Sequence, residues 1–192
     1  MPTCRIYLAR HGRTALNAAN RLRGLSDPPL DPIGLAEVAR LGAALADKGL
    51  SVVVCSPLQR AVSTAQAIAD AAGVDVRVDK RLVDRDYGPQ TGESRDEVIA
   101  RYGSVDAAPG VEPLAALTAR ALQAFTEIAT ELGPDPVAMV SHDAFNSALL
   151  AALDPTLGQV RQRTACWNQL SLVDAVWRVD SVDNVADDPA AV

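Results

Sequence analysis

The chain has 192 residues, 48% hydrophobic and 22% charged, with a formal net charge of −6. Such values describe an ordinary globular domain, here taken as residues 1–192, large enough to bury a sizeable core. The negative charge argues against a general nucleic-acid binder, and no apolar run approaches the ~20 residues of a membrane helix, so neither a nucleic acid nor a membrane is expected as partner. The first residues lack the basic stretch, apolar core and cleavage site of a secretory signal. Cys4, Cys55 and Cys166 are three, widely spaced and set among apolar residues, which argues against a disulfide framework or a zinc ribbon. The expected setting is the reducing cytoplasm.

Residues 3–9 read as a buried strand, and the run ends abruptly in Arg10-His11-Gly12. The first 26 residues hold no Asp or Glu, yet carry Arg5, Arg10, Arg13, Arg21 and Arg23. A basic segment in an acidic protein points to a focused anion site. After Gly12 the pattern turns helical, then breaks at Gly24 and Pro28-Pro29. Asp31-Pro32 opens a helix with an N-cap and a first-turn proline, and Lys48-Gly49 closes it. Val52–Cys55 is a second buried strand. Ser56-Pro57 reads as the cap and first turn of the next helix, which carries Arg60 and runs through Ala71 to Gly73. Val74–Val78 is a short strand.

Residues 82–92 form a charged loop, and 93–102 and 113–132 read as helices on either side of a Gly/Pro-containing loop. The stretch 82–132 is expected to include a small cap over the cleft. Residues 137–141 form another strand, followed by His142 and a helix that stops at Asp154-Pro155. Leu170–Val173 and Val176–Val179 close the sheet, and the acidic tail from Asp183 is expected to fray. Strands alternating with helices give an α/β class: three layers, α/β/α, around a mostly parallel central sheet with a small cap insertion.

His11 and His142 are the chain's two histidines, and both follow predicted strands at the same edge of the sheet. Ligands of open α/β sheets bind beyond the carboxyl ends of the strands. The chain has no HExxH or CxxC for a metal, no GxSxG for a serine hydrolase, and neither GxGxxG nor a P-loop. Phosphoryl chemistry fits what remains. Guanidinium forks match phosphate oxygens. A neutral imidazole can attack phosphorus and form a covalent intermediate that water then hydrolyses. A second, cationic imidazole can stabilise the equatorial oxygens.

The motifs sharpen this reading. Arg10-His11-Gly12-Arg13-Thr14-Ala15-Leu16-Asn17 with Arg21 and Gly24 resembles RHGxTxxNxxxRxxG. Ser56-Pro57-Leu58-Gln59-Arg60-Ala61 with Thr64-Ala65 resembles SPLxRAxxTA. Leu82–Gly88 resembles LxExxxG, and Val140-Ser141-His142 resembles VSH. Pro109-Gly110, Glu112 and Arg120 loosely echo GES…R. In that order, the set resembles the histidine phosphatase superfamily, in its phosphoglycerate mutase-like branch.

The resemblance implies a phosphatase that hydrolyses phosphate monoesters of small molecules. His11 would be the phosphorylated nucleophile, and Arg10, Arg60 and His142 would clamp the phosphate, with all four facing one pocket. Asn17 would reach the phosphate too, while Arg21 and Arg23 line the mouth near Gly24. No metal or organic cofactor is implied. Mutases of the family are longer, with a tail that shields the phosphoenzyme from water, and this chain's tail lacks basic residues. Hydrolysis is therefore favoured over a cofactor-dependent phosphoglycerate mutase. Retention of both histidines and both clamp arginines argues against a non-catalytic phospho-ligand binding module. Three positions depart from the family pattern: Arg13 stands for Glu, Asp84 for Glu, and Asp143 for Gly. Asp84 is expected to donate the proton to the leaving group, and Asp143 to orient an arginine or help select the substrate. Arg81 and Arg85 offer alternative ion-pair partners for Asp84 and Asp86. No stretch spells out the substrate or the oligomeric state.

Overall fold

The computed structural model describes residues 4–158 and 160–187. Thr3, the end of the acidic tail and the last residues of the expected domain therefore lie outside the described residues. Strands β1 (Arg5–Arg10), β2 (Val52–Cys55), β3 (Val76–Val78), β4 (Val137–Ser141), β5 (Trp167–Val173) and β6 (Val176–Asn184) form one sheet in the order β3-β2-β4-β1-β5-β6. The first four run parallel, and β5 and β6 are antiparallel to their neighbours.

Side chains alternate faces along a strand, and parallel strands covered on both sides read as continuous apolar runs. In β1, Ile6 and Leu8 enter one core while Tyr7 and Ala9 enter the other. In β4, Val137 and Met139 divide from Ala138 and Val140 in the same way. Helices α2 (Pro32–Leu45) and α3 (Gln59–Ala72) supply Leu41, Leu45, Ala65 and Ile68 to the second core. Helices α5 (Leu114–Leu132) and α6 (Asp143–Leu153) supply Phe125, Ile128, Phe145 and Leu149 to the first. The result is the α/β/α sandwich. Short α1 (Ala15–Ala18) and α4 (Arg95–Tyr102) lie between these layers in the chain. Leu22, Tyr87, Val98, Val105 and Ala108 pack a third, smaller cluster. The long helix of the 82–132 stretch thus belongs to the main core, and the smaller cluster draws on the residues before it.

Several boundaries differ from the sequence reading. Ser56 does not cap α3: the helix starts at Gln59, with Leu58 at the N-cap position and no side-chain cap. The Ser56 hydroxyl is used instead by His142, at 2.8 Å. Strands β5 and β6 extend well beyond their predicted ends, joined at Asp174-Ala175, both with positive φ as a tight hairpin turn requires. The extension carries Asp183 into the sheet. Its carboxylate accepts from Arg163 Nε at 2.7 Å, so the tail is pinned at the point where fraying is expected.

Candidate active site

Because β1 and β4 pair in register from Ile6↔Val137 to Arg10↔Ser141, their C-terminal ends are level. Both histidines follow directly, and the His11 N–H donates to the Ser141 carbonyl at 3.1 Å. The two rings lie with centroids 5.1 Å apart. Neither is exposed. His11 Nδ1 is 2.7 Å from the Gly12 carbonyl, which can only accept. The proton therefore sits on Nδ1, and Nε2 carries the lone pair. Burial first, then coupling to the neighbouring His142 ring and the charges of Arg60, Arg10 and Arg23, hold the His11 imidazole well below its ordinary 6.5. It is a neutral base with a free nitrogen, which is the state a nucleophile needs.

Arg60 closes on that nitrogen. Its Nε–H donates to His11 Nε2 at 3.2 Å. The rest of the fully buried guanidinium donates to the carbonyls of Ser26 and Gly24 and to Asp84 Oδ2, the last at 3.1 Å. Gly24 can offer its carbonyl there because its φ is +49° and a Cβ would meet Tyr87 and the Arg85 carbonyl at 3.1 and 3.2 Å. One turn along α3, the Thr64 hydroxyl accepts from the Gly12 N–H at 3.1 Å and donates to the Arg60 carbonyl. The helix and the loop after β1 are thereby fixed to each other.

Asp84 Oδ2 also lies 3.7 Å from His142 Nδ1. Its loop is held by Arg120, which donates to the Val83 and Asp84 carbonyls and pairs with Glu112 at 2.6 Å. His142 too is held well below 6.5, by burial first and by Arg60, Arg23, Arg10 and Arg120 after it. Burial, and the guanidiniums after it, thus work against the cationic form expected of this second imidazole. Arg10 donates to the Gln162 carbonyl and lies 3.7 Å from Asp143. Gln162 is fixed in turn by a two-way amide pairing with Asn168, at 3.0 and 2.8 Å.

Above this cluster opens a cavity of about 760 Å³ whose wall includes Arg10, Asn17, Arg21, Arg23 and Asp143. Arg95, Arg161 and Arg163 also face it. Four buried side-chain nitrogens have no hydrogen-bond partner among the described residues: Arg10 Nε, Arg23 Nε, His142 Nδ1 and, in α6, Asn146 Nδ2. Buried donors ordinarily have partners, and the two unmatched arginine Nε–H groups near His11 make a cradle for an anion. Among the described residues, no three His, Cys, Asp or Glu side chains gather to hold a metal ion.

A family model for the histidine phosphatase superfamily, branch 1, matches residues 6–185. This chain belongs to that superfamily. The phosphatase PhoE of Bacillus subtilis (strain 168), described as uncharacterised, is 29% identical over 177 residues, 91% of each chain. The probable phosphoglycerate mutase GpmB of Yersinia pestis (strain Pestoides F) is 39% identical over 83 residues, which is 43% of this chain and 39% of that protein. A solved mycobacterial glucosyl-3-phosphoglycerate phosphatase, complexed with VO3, superposes with a TM-score of 0.82 at 28% identity, covering 92% of this chain and 97% of that one.

In this histidine phosphatase superfamily member the sequence-predicted residues fall into two tiers. His11, Arg60, Asp84 and His142 form a buried tier, while Arg10, Asn17, Arg21, Arg23 and Asp143 line the cavity. Of the four residues expected to converge on one anion, Arg60 meets His11 directly, the His142 ring lies beside it, and Arg10 lines the cavity. Arg60 is drawn inward because its charge is matched there by Asp84 and by two carbonyls. The side-chain oxygen of Asn17 closes a capping box with Thr14 at the start of α1. Arg21 donates to the Gly92 carbonyl. Arg13 adds little net charge to the mouth, since its Nε meets Asp31 at 2.8 Å. Asp84 pairs with Arg60, not with the side chain of Arg81 or Arg85. Arg81 bonds instead to Asp79, Glu127 and Glu131. Missed from sequence were Gln162, Asn168, Arg95, Arg161 and Arg163. No motif contains them, and only the fold brings them to this end of the sheet. No helix among the described residues is long and apolar enough to cross a membrane.

Proposed function

We propose that this chain is a phosphomonoesterase that works through a phosphohistidine on His11. The observation that carries the reading is the His11 ring itself: neutral, its Nδ1 proton tied to the Gly12 carbonyl, its Nε2 lone pair facing Arg60. Nε2 attacks phosphorus, the bond to the ester oxygen breaks, and the leaving oxygen takes a proton from Asp84. Water then attacks phosphorus and gives a proton to Asp84, the phosphorus–nitrogen bond breaks with its electron pair returning to Nε2, and inorganic phosphate departs. Arg60 moves its N–H from Nε2 to a phosphate oxygen, and Arg10, Arg23 and His142 supply donors to the others. As Arg60 turns to the dianion, Asp84 loses its cationic partner and gains a like charge nearby.

Hydrolysis is preferred to mutase chemistry because the similarity to PhoE runs the length of the chain, whereas that to GpmB covers 83 residues. The substrates are phosphorylated small molecules, and the setting is the cytoplasm. Rapid quench with a labelled monoester is expected to trap an acid-labile, base-stable phosphoenzyme that His11→Ala abolishes along with turnover. Near-normal turnover by His11→Ala would overturn the mechanism. Turnover of 3-phosphoglycerate with catalytic 2,3-bisphosphoglycerate well above phosphate release would make the chain a mutase.

A further inference from the structure

A second cavity, of about 690 Å³, adjoins the arginine-lined one. Tyr87, Arg95 and Asp143 belong to the walls of both. Since Asp143 follows His142 and lies 3.7 Å from Arg10, this junction sits at the mouth of the anion cradle. The two chambers differ in chemistry. The first presents guanidiniums; the second is walled by Ile99 of α4, Leu114 of α5 and Ala144, Ala148, Ala151 and Ala152 of α6. Ile99 and Leu114 are 38% and 49% exposed, so apolar surface stands open to an occupant.

Away from its junction with the first, where Tyr87, Arg95 and Asp143 stand, the second chamber has polar groups matched within the protein. Arg85 pairs with Asp106 at 2.7 Å, the Ser147 hydroxyl donates to the Val160 carbonyl at 3.0 Å, and the Thr118 hydroxyl donates to the Leu114 carbonyl at 2.8 Å. Beyond Tyr87, Arg95 and Asp143, what this annex offers a ligand is mainly apolar contact. Its size falls within the ~300–1,000 Å³ of small-molecule sites.

We propose that the chain acts on phosphomonoesters of apolar alcohols, with the phosphate beside His11 and the hydrocarbon lodged in the annex beyond Tyr87, Arg95 and Asp143. The proposal rests on the phosphatase reading and names its substrate class. A polar leaving group that reached past Tyr87, Arg95 and Asp143 to the alanines of α6 would lose its water with little to replace it, so it is disfavoured there. An apolar one gains with every methylene it buries.

The test uses the whole protein and two measurements. Calorimetry with butylphosphonate and octylphosphonate, which cannot be hydrolysed, reads the annex without turnover. Phosphate release from butyl and octyl phosphate reads the reaction. Octylphosphonate is expected to bind at least about tenfold more tightly than butylphosphonate, given the gain per buried methylene. kcat/KM for the phosphates is expected to rise in the same ratio. Leu114→Asp places a charge in the annex at the first residue of α5, where a carboxylate suits the helix dipole and folding is preserved. It is expected to bring the ratio near one, as is Ile99→Asp. A ratio near one in the unaltered protein overturns the proposal while leaving hydrolysis standing. A steep binding ratio without phosphate release supports the annex and overturns the phosphatase reading. A flat ratio together with a Leu114→Asp change in oligomeric state makes the face an interface between copies and overturns the proposal.

Discussion

Lowering the pH from about 7 to about 5.5 is expected to destabilise the fold through two side chains alone. His11 and His142 are the chain's entire complement of histidines, and both are held well below 6.5 in the folded state. Above 6.5 neither the folded nor the unfolded chain binds these protons, so the pair has no effect on stability. Below it the unfolded chain takes up two protons that the folded site refuses, and stability falls as pH falls through 6.5 toward the folded values. With an unfolded pKa of 6.5, the preference for the unfolded state grows by roughly 1.2 kcal/mol per histidine over that interval, or about 2.5 kcal/mol for the pair. Carboxylates do not obscure the effect. Asp79 and Glu131 are held at about 2 by hydrogen bonds from arginine, and their stabilising contribution is lost only as pH falls below about 5. Urea unfolding followed by circular dichroism at both pH values measures the difference as a shift in midpoint. The His11→Gln/His142→Gln double variant is expected to flatten it. Equal stability at both pH values, or a slope that survives in the double variant, would refute the assignment of two neutral buried imidazoles.

Other outcomes follow from the same geometry. Arg60→Met leaves Asp84 and the Gly24 and Ser26 carbonyls buried without their donor. It is expected to cost about 3–5 kcal/mol in denaturant unfolding, with part recovered by adding Asp84→Leu. Asp84→Ala is expected to impair alkyl phosphates far more than p-nitrophenyl phosphate, whose leaving group needs little protonation, by up to the ~10²–10⁴-fold that a placed acid supplies. The same selective loss in Asp143→Ala, with none in Asp84→Ala, would transfer the proton-donor role to Asp143. Gly34→Ala would put a Cβ 2.0 Å from the Arg13 carbonyl and is expected to lower the thermal midpoint sharply, because backbone there has to move.

The sequence made the sheet end legible because its clues are local. An apolar run followed by Arg10-His11-Gly12, and another followed by His142, places two imidazoles at parallel strand ends without knowledge of strand order. The depth of Arg60 was not legible, because the carbonyls that draw it inward belong to residues 34 and 36 positions earlier in the chain. Gln162 and Asn168 were invisible for the same reason: a buried amide pair has no periodicity, and its target is the Arg10 side chain far upstream. The long β5–β6 hairpin was cut short because polar residues alternate along it, and Ser171 and Asp180 satisfy each other across it at 2.9 Å. Ser56-Pro57 looked like a helix start because serine and proline favour that place. Tertiary demand from His142 took the hydroxyl instead.

The place of β1 has a consequence for how the protein comes into being. Its hydrogen-bonding edges are filled by β4 on one side and β5 on the other, both far along the chain. His11 therefore precedes both strands that flank its own, and β1 has no neighbour until residue 137 and no second one until residue 167 has emerged. Until then an apolar segment with two open edges must wait, exposed to pairing with other chains. Contacts of such long range make folding slow. Shortened products of synthesis carry His11 without the strands that flank β1, so a truncated chain is expected to be inert and prone to aggregate.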